Sequence, residues 1–506
     1  MKPHEKTIEP TYQQELLKVS KDAGLSFLFT VSGLVITYST TLLITRVLGA
    51  ADFGVFALAQ TILLSAIPIA ALGLNHSVLR FTSLYDGRDE PERIKGVLRF
   101  ALKGGAICGV LLTALLLIMA PWLQDFFGWQ NLSSAIRIIV IALPLAVLME
   151  MLLAGLQGLR YVSRQTFVRT IIQQGVRLMV VSLFFLIGLR LVGVLWATVI
   201  GMASALVVGF YLLKKKFSHF RYANSCVVEK GEIIRFSTPM FFNNLLQRGS
   251  LDLPVLLLGY FLAEADVGVY AVAFRLALLV SLPLAAVNLI FAPTISNLYG
   301  RGDKETLARL FKTVTKWVFT LSLCTGLALI LFAKPILSVF GAEFVSGAVV
   351  LVVLVLAQMV NAGVGSVGYM LSMTGRPGLN LTNTAAQFAV TLAVGILCIP
   401  QFGVAGAGVA MAVGLAIANL ARVIQVFVIE HIHPYSSAFG KPLIAGLISV
   451  AIILGLRAVM STDGITGTLL LLMLFVLVFS VSLIALRLNE DDQAVINSIR
   501  RRLRWA

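Results

Sequence analysis

The stretch NNLLQRGSLDLP (243–254) sets an arginine and an aspartate four residues apart inside an apolar segment. On a helix, Arg248 and Asp252 share one face. Arg275 stands in the following apolar segment, across a short turn. Counting rise per residue from that turn puts Asp252 and Arg275 at similar depth, with Arg248 about one turn deeper. An arginine at a bilayer centre costs about 2.5–3.5 kcal/mol, so it is normally paired or lines a watery cavity. Two guanidinium groups and one carboxylate make a cationic cluster. A guanidinium fork fits the paired oxygens of a phosphate. Asp252 can balance that charge in an empty site, or take a coupling proton or sodium ion. Asn243, Asn244 and Gln247 add amide groups suited to sugar hydroxyls. Pro239, Gly249 and Pro254 interrupt the helix that carries them, as binding helices of repeat-built transporters are interrupted. The alternative is an Arg–Asp clasp that only locks two helices. Arg177 is the third deep arginine, and Glu150 in the preceding span is its expected partner in a structural ion pair.

The elements that position these groups follow from composition. The chain has 506 residues, of which 58% are hydrophobic and 13% charged. Mean hydropathy is +0.93. Too little polar residue is present to cover a soluble core of this size. Apolar runs of about 20 residues recur from end to end, each long enough to span a bilayer. The expected class is an all-α polytopic membrane protein with about 14 spans: 23–46, 53–74, 97–120, 135–155, 167–188, 191–213, 237–261, 267–291, 311–333, 346–371, 380–400, 403–428, 440–459 and 466–486.

The net charge of +16 is a matter of loops, and no nucleic-acid motif accompanies it. One set of loops holds Arg80, Arg88, Arg93, Lys95, Arg160, Arg164, Lys214 to Lys216, Arg301, Lys304 and Arg376. The opposite set holds only Arg46, Arg137, Arg190, Lys334 and Arg457. The positive-inside rule then places both termini in the cytoplasm and the aromatic loop 121–134 outside. The tail INSIRRRLRW reads as a basic interfacial helix on the inner leaflet. Cys108, Cys226, Cys324 and Cys398 are scattered, and His431 and His433 stand alone, so neither a disulfide framework nor a metal site is expected.

An internal repeat organises the chain. AADFGVFALA (50–59) matches EADVGVYAVA (264–273) at an offset of 214, and LYDGRD (84–89) matches LYGRGD (298–303) at the same offset. Two parallel six-span lobes follow, 1–213 and 237–428, joined by a cytoplasmic linker 214–236. Spans 440–486 lie outside the repeat, and a basic cytoplasmic tail 487–506 ends the chain.

TRVLGAADFGVFALAQ, GYFLAEADVGVYAVAFRLALL, PTISNLYGRGD and FGVAGAGVAMAVG resemble the polysaccharide-biosynthesis, Wzx-like flippases of the multidrug/oligosaccharidyl-lipid/polysaccharide (MOP) exporter superfamily. The resemblance covers nearly the whole chain. It implies two six-helix lobes in a V shape with two extra C-terminal helices, and a flippase of the cytoplasmic (inner) membrane. The implied substrate is a polyprenyl-diphosphate-linked oligosaccharide destined for cell-surface polysaccharide. Membrane lipids, a polysaccharide polymerase and other assembly proteins are the implied partners. Among related flippases, including those for lipid II, cavity arginines are taken to meet the diphosphate, and Arg275 is the best match here. The first two spans depart from the lipid II pattern, because Thr30, Ser32, Tyr38 and Gln60 stand there in place of a deep arginine. This leaves the positive potential mostly in the second lobe.

No phosphate-binding GxxxxGK[ST] loop is present, so ion gradients, membrane potential or downstream consumption must supply the energy. No cofactor is expected. Competing readings are a drug or organic-cation antiporter of the same superfamily, a non-transporting subunit of a polysaccharide machine, and a membrane glycosyltransferase. The last needs a catalytic outer loop, and the outer loops are short; the reading is a transporter, not an enzyme.

Overall fold

The computed structural model describes residues 10–217, 227–459 and 464–486, and every regular element among them is helical. The chain divides into two compact units, Met1–Gly249 and Ser250–Ala506.

The first unit opens with α1 (Pro10–Ala71), a 62-residue element. A straight helix that long would reach about 90 Å, three times a bilayer core. It is broken at Gly49, whose φ of 77° leaves the helical region; glycine adopts that conformation without a Cβ clash. The repeat offset pairs Gly49 with Ala263, where α9 hands over to α10. After α1 come α2 (Leu74–Asp86), α3 (Pro91–Phe127), α4 (Leu132–Ile139), α5 (Ala142–Gly158) and α6 (Val162–Thr166). A π-helical turn (Phe167–Ile172), α7 (Gln173–Leu186), α8 (Leu191–Phe217) and the first part of α9 (Lys230–Phe261) complete the unit.

The second unit takes the remainder of α9, then α10 (Glu264–Leu278), α11 (Leu282–Gly300), α12 (Lys304–Leu331), α13 (Ala333–Phe340) and α14 (Ala348–Val364). It ends with α15 (Val367–Met373), α16 (Pro377–Phe402), α17 (Val404–Glu430), α18 (Gly440–Val459) and α19 (Ile465–Ala485). Proline opens α3 and α16 at the first turn, where its missing N–H costs nothing. Asp303 caps α12, its carboxylate accepting from the Thr306 N–H at 3.0 Å. That hydrogen bond holds its carboxyl below the usual aspartate range.

The repeat is the core of each unit. Phe53, Val55, Phe56, Ala57 and Ala59 are buried in the first, and their partners at the offset, Val267, Val269, Tyr270, Ala271 and Ala273, in the second. The outer faces are oily instead: Leu186 is 85% exposed and Ile118 77%, as suits a surface in lipid.

Twelve helices among the described residues are long and apolar enough to cross a membrane, against the fourteen spans expected from the sequence. The readings diverge at two places. Stretches 23–46 and 53–74 fall together on α1. Stretch 237–261 falls on α9, whose polar first half keeps it out of the twelve. Two boundaries also differ from the sequence reading. Residues 214–217 finish α8 and α9 begins at Lys230, so much of the expected linker is helix. The compact division falls at 249/250, inside α9, because the first part of α9 packs on α2. Residues 121–127 of the aromatic loop extend α3, with Trp122 and Phe126 stacked at 5.4 Å. The C-terminal tail lies outside the described residues.

Reporter fusions at Gln130 and after Ala506 are expected to give opposite compartment signals. Identical signals at the two positions would overturn the fourteen-span reading.

Candidate functional site

The first part of α9 is held along α2. The hydroxyls of Ser77 and Ser237 are 2.6 Å apart, and Ser77 Oγ donates to the Ile233 carbonyl at 3.3 Å. The Arg80 guanidinium lies 4.4 Å from the centre of the Phe236 ring. One turn deeper, His76 Nε2 stands 3.2 Å from Asn244 Oδ1. These contacts aim the next turn of α9, which carries the expected amides and Arg248. Gln247 Nε2 donates to Asn243 Oδ1 at 3.4 Å, so two of the three amides face each other along the helix. The third, Asn244, is engaged by α2.

The structure divides the expected charge cluster between the two units. Arg248, half-buried, ends the first. Asp252, only 4% exposed, opens the second. Arg275 is half-buried on α10 in that same unit. A carboxylate this buried costs several kcal/mol unless compensated, which marks Asp252 as a group in a selected environment.

Glu150 on α5 meets Arg169, with Nη2 to Oε2 at 2.7 Å. The expected partner, Arg177, lies two turns further on. Arg169 sits in the π-helical turn, whose extra residue changes both rise and register. The Arg177 guanidinium lies 5.3 Å from the centre of the Phe56 ring.

The repeat also builds two matching anchors. Tyr85 donates its hydroxyl to Glu229 Oε2 at 3.1 Å, and Arg93 pairs with Glu229 at 3.0 Å. Burial first, then the Glu229 carboxylate, raises the Tyr85 phenol above its ordinary range. In the second unit the offset-matched Tyr299 donates to Glu430 at 3.4 Å, and Lys304 pairs with Glu430 at 2.8 Å. Each anchor ties the end of the LYDGRD or LYGRGD helix to a glutamate. Glu229 lies just before α9, and Glu430 ends α17.

A polar centre in the second unit was not anticipated. Arg422, on α17, donates from Nε to Asn380 Oδ1 (3.0 Å), from Nη1 to Asn419 Oδ1 (3.1 Å) and from Nη2 to Thr384 Oγ1 (3.1 Å). Asn419 donates onward to Asn361 at 2.9 Å, and Asn383 and Gln425 exchange two hydrogen bonds at 2.7 and 3.1 Å. The signal lay in the spacing. Asn380, Thr384, Gln387 and Thr391 recur on one face of α16, where an apolar span has no need of them.

Among the described residues no group of three His, Cys, Asp or Glu stands close enough to hold a metal. Cys108, Cys324 and Cys398 are free thiols.

A duplicated helical bundle with guanidinium groups inside its spans defines a polytopic membrane protein of transporter architecture. The model of the family described as "Polysaccharide biosynthesis protein" matches residues 19–299, more than half the chain, and the MatE family model matches residues 239–377. The chain belongs to the polysaccharide biosynthesis protein family, within the MOP superfamily.

Similar proteins include the "Probable low-salt glycan biosynthesis flippase Agl15" of Haloferax volcanii, 22% identical over 42% of this chain and 45% of that protein. The uncharacterized membrane protein MJ1068 of Methanocaldococcus jannaschii is 24% identical over 72% of this chain and 75% of its own length. The uncharacterized membrane protein EpsK of Bacillus subtilis is 22% identical over 52% of this chain and 54% of its own. The match thus spans about half of two of these relatives. Among solved structures, the lipid II flippase MurJ in an inward closed conformation superposes with a TM-score of 0.72 at 13% identity, over 90% of this chain and 98% of that one. An inward-facing MATE-family multidrug resistance transporter superposes with a TM-score of 0.65 at 16% identity, over 81% and 98%. At such identities the likeness is one of fold.

Proposed function

We propose that this protein is a flippase carrying a polyprenyl-diphosphate-linked oligosaccharide from the inner to the outer leaflet of the cytoplasmic membrane, for cell-surface polysaccharide synthesis. The observation that carries the reading is the excess of guanidinium groups inside the spans. Arg248, Arg275 and Arg422 stand there, and the buried carboxylates of their helices are Asp252 and, at the end of α17, Glu430, which pairs with Lys304. Fixed positive charge suits a diphosphate, and the amides of α9 and α16 suit sugar hydroxyls. The transporter works by alternating access and catalyses no covalent step. Both termini are cytoplasmic. Its partners are membrane lipids and the polymerase and assembly proteins that consume the glycan. Outward passage of a diphosphate from an inside-negative cell is downhill by about 2.3 kcal/mol per charge per 100 mV, and the same field returns an empty cationic site.

Depletion of the protein is expected to leave lipid-linked glycan on the inner leaflet. Cells should lose surface polysaccharide while still making the precursor. Normal arrival of the precursor at the outer leaflet would remove the assignment.

The MatE match over 239–377 and the MATE-like fold favour a second reading, an antiporter for drugs or organic cations. Reconstitution into liposomes separates the two: labelled lipid-linked sugar should be translocated, and a labelled organic cation should not.

A further inference from the structure

The Arg422 centre is a cation held entirely by neutral groups. Its three protein hydrogen bonds end on two amide oxygens and one hydroxyl. Among the described residues no carboxylate lies within ion-pair distance of it. The acceptors are themselves fixed. Asn419 is 2% exposed and Thr384 4% exposed. Asn380 donates to Ser372 Oγ at 3.2 Å, and Asn361 donates to Gln358 at 3.4 Å. Ionisable residues inside spans pair with one another or with backbone carbonyls and mark substrate pathways. Here the surrounding amides orient the guanidinium and leave its charge in place.

A guanidinium has five N–H groups. Among the described residues three accept from them, and Nη1 and Nη2 each retain one. Two unspent donors on adjacent nitrogens, on a side chain only half-buried, form the fork that engages paired anionic oxygens. Counting about 1.5 Å per residue from Glu264 and Val404, which start from the expected outer face, Arg275 lies about 17 Å and Arg422 about 27 Å along their helices. Arg422 is then the cation nearer the cytoplasm, on the side from which the substrate comes.

We propose that Arg422, seated by Asn380, Thr384 and Asn419, is a separate anion subsite that receives the substrate's head group on the cytoplasmic side, before Arg275. The inference rests on the proposed flippase function. Its ligand is a paired-oxygen anion, either the diphosphate or the carboxylate of an acidic sugar.

The test is equilibrium binding to the full-length protein in detergent, with farnesyl diphosphate, glucuronate and neutral farnesol as probes. Asn380→Asp is the decisive variant. It is isosteric, keeps the acceptor for Arg422 Nε, and neutralises the guanidinium. Asn380→Asp and Arg422→Gln are each expected to weaken farnesyl diphosphate at least tenfold and leave farnesol unchanged, with Arg422→Lys falling between them and wild type. A loss confined to glucuronate would assign the subsite to the sugar carboxylate. Wild-type affinity for both anions in Asn380→Asp would overturn the subsite and leave Arg422 as a helix lock, whether or not Arg422→Gln folds. This outcome is independent of the flippase reading, which fails instead when the wild-type protein binds lipid-linked glycan without moving it.

Discussion

Arg275→Ala is expected to remove transport from a protein that still inserts and folds. Arg275 is half-buried on α10, whose neighbouring positions Ala271, Val272, Leu276 and Ala277 are buried and carry the packing. Truncation therefore leaves the helix seated. A hydrogen bond to a charged partner contributes about 1.5–3 kcal/mol, so loss of a bidentate pair costs roughly a hundredfold or more in affinity for a diphosphate. Arg275→Lys keeps the charge and loses the fork, and should recover only part of the rate. Asp252→Asn should fold well and alter coupling, because it removes the carboxylate that balances an empty site. A purely structural clasp predicts another pattern. Either single truncation would then lower stability, since an uncompensated charge stays behind, and Arg275→Leu with Asp252→Leu would restore it. Transport measured beside thermal stability for these variants decides the matter. A stable and fully active double mutant would eliminate the substrate role.

The class of fold was legible because lipid imposes it. Apolar runs have a required length, and backbone groups in a bilayer leave helices as the simple solution. The repeat was legible for the same kind of reason: its matched residues, Phe56 with Tyr270 and Tyr85 with Tyr299, are core and anchor positions where substitution is costly. Arg248, Asp252 and Arg275 could be singled out because charge in an apolar run is conspicuous. What remained hidden depended on contacts distant in sequence. Arg422 stood in view on its span, yet its meaning lies in Asn380 and Thr384, about forty residues away on α16. Glu150 is expected to meet the deep Arg177 by a long side chain's reach, yet Glu150 and Arg169 lie almost equally far before and after the 159–161 turn, so Arg169 stands level with the carboxylate and takes the pair. The division inside α9 falls after Gly249, which stands out in the sequence, but the packing that holds the first part of α9 to α2 does not. Ser237 reads as an ordinary span residue, Phe236 as linker and Asn244 as a substrate amide until α2 supplies their partners.

That apposition of α2 and α9 yields the second large effect, read from two glycines with almost the same backbone. Gly73 has φ 71° and Gly128 has φ 73°. Both follow the end of a long helix, and both would be strained by a side chain, at roughly 1–2 kcal/mol for a left-handed residue. They differ in space. A Cβ on Gly128 meets nothing within 4 Å. A Cβ on Gly73 would overlap the Ser237 carbonyl oxygen and come within 2.8 Å of the Phe241 nitrogen. Both obstacles are backbone and cannot rotate away. Gly73→Ala must therefore push α9 off α2, adding an overpacking cost of about 1–3 kcal/mol. The expected order of thermal stability is wild type, then Gly128→Ala, then Gly73→Ala. Function should separate further than stability. Phe241 lies two residues before Asn243 and seven before Arg248, so displacement there moves the amides and the guanidinium together. Gly128→Ala should transport at close to the wild-type rate, and Gly73→Ala should lose most transport even at temperatures where it remains folded. Equal stability and equal transport in the two variants would mean that α9 does not rest on the Gly73 turn, and the positioning of Arg248 through α2 would have to be abandoned.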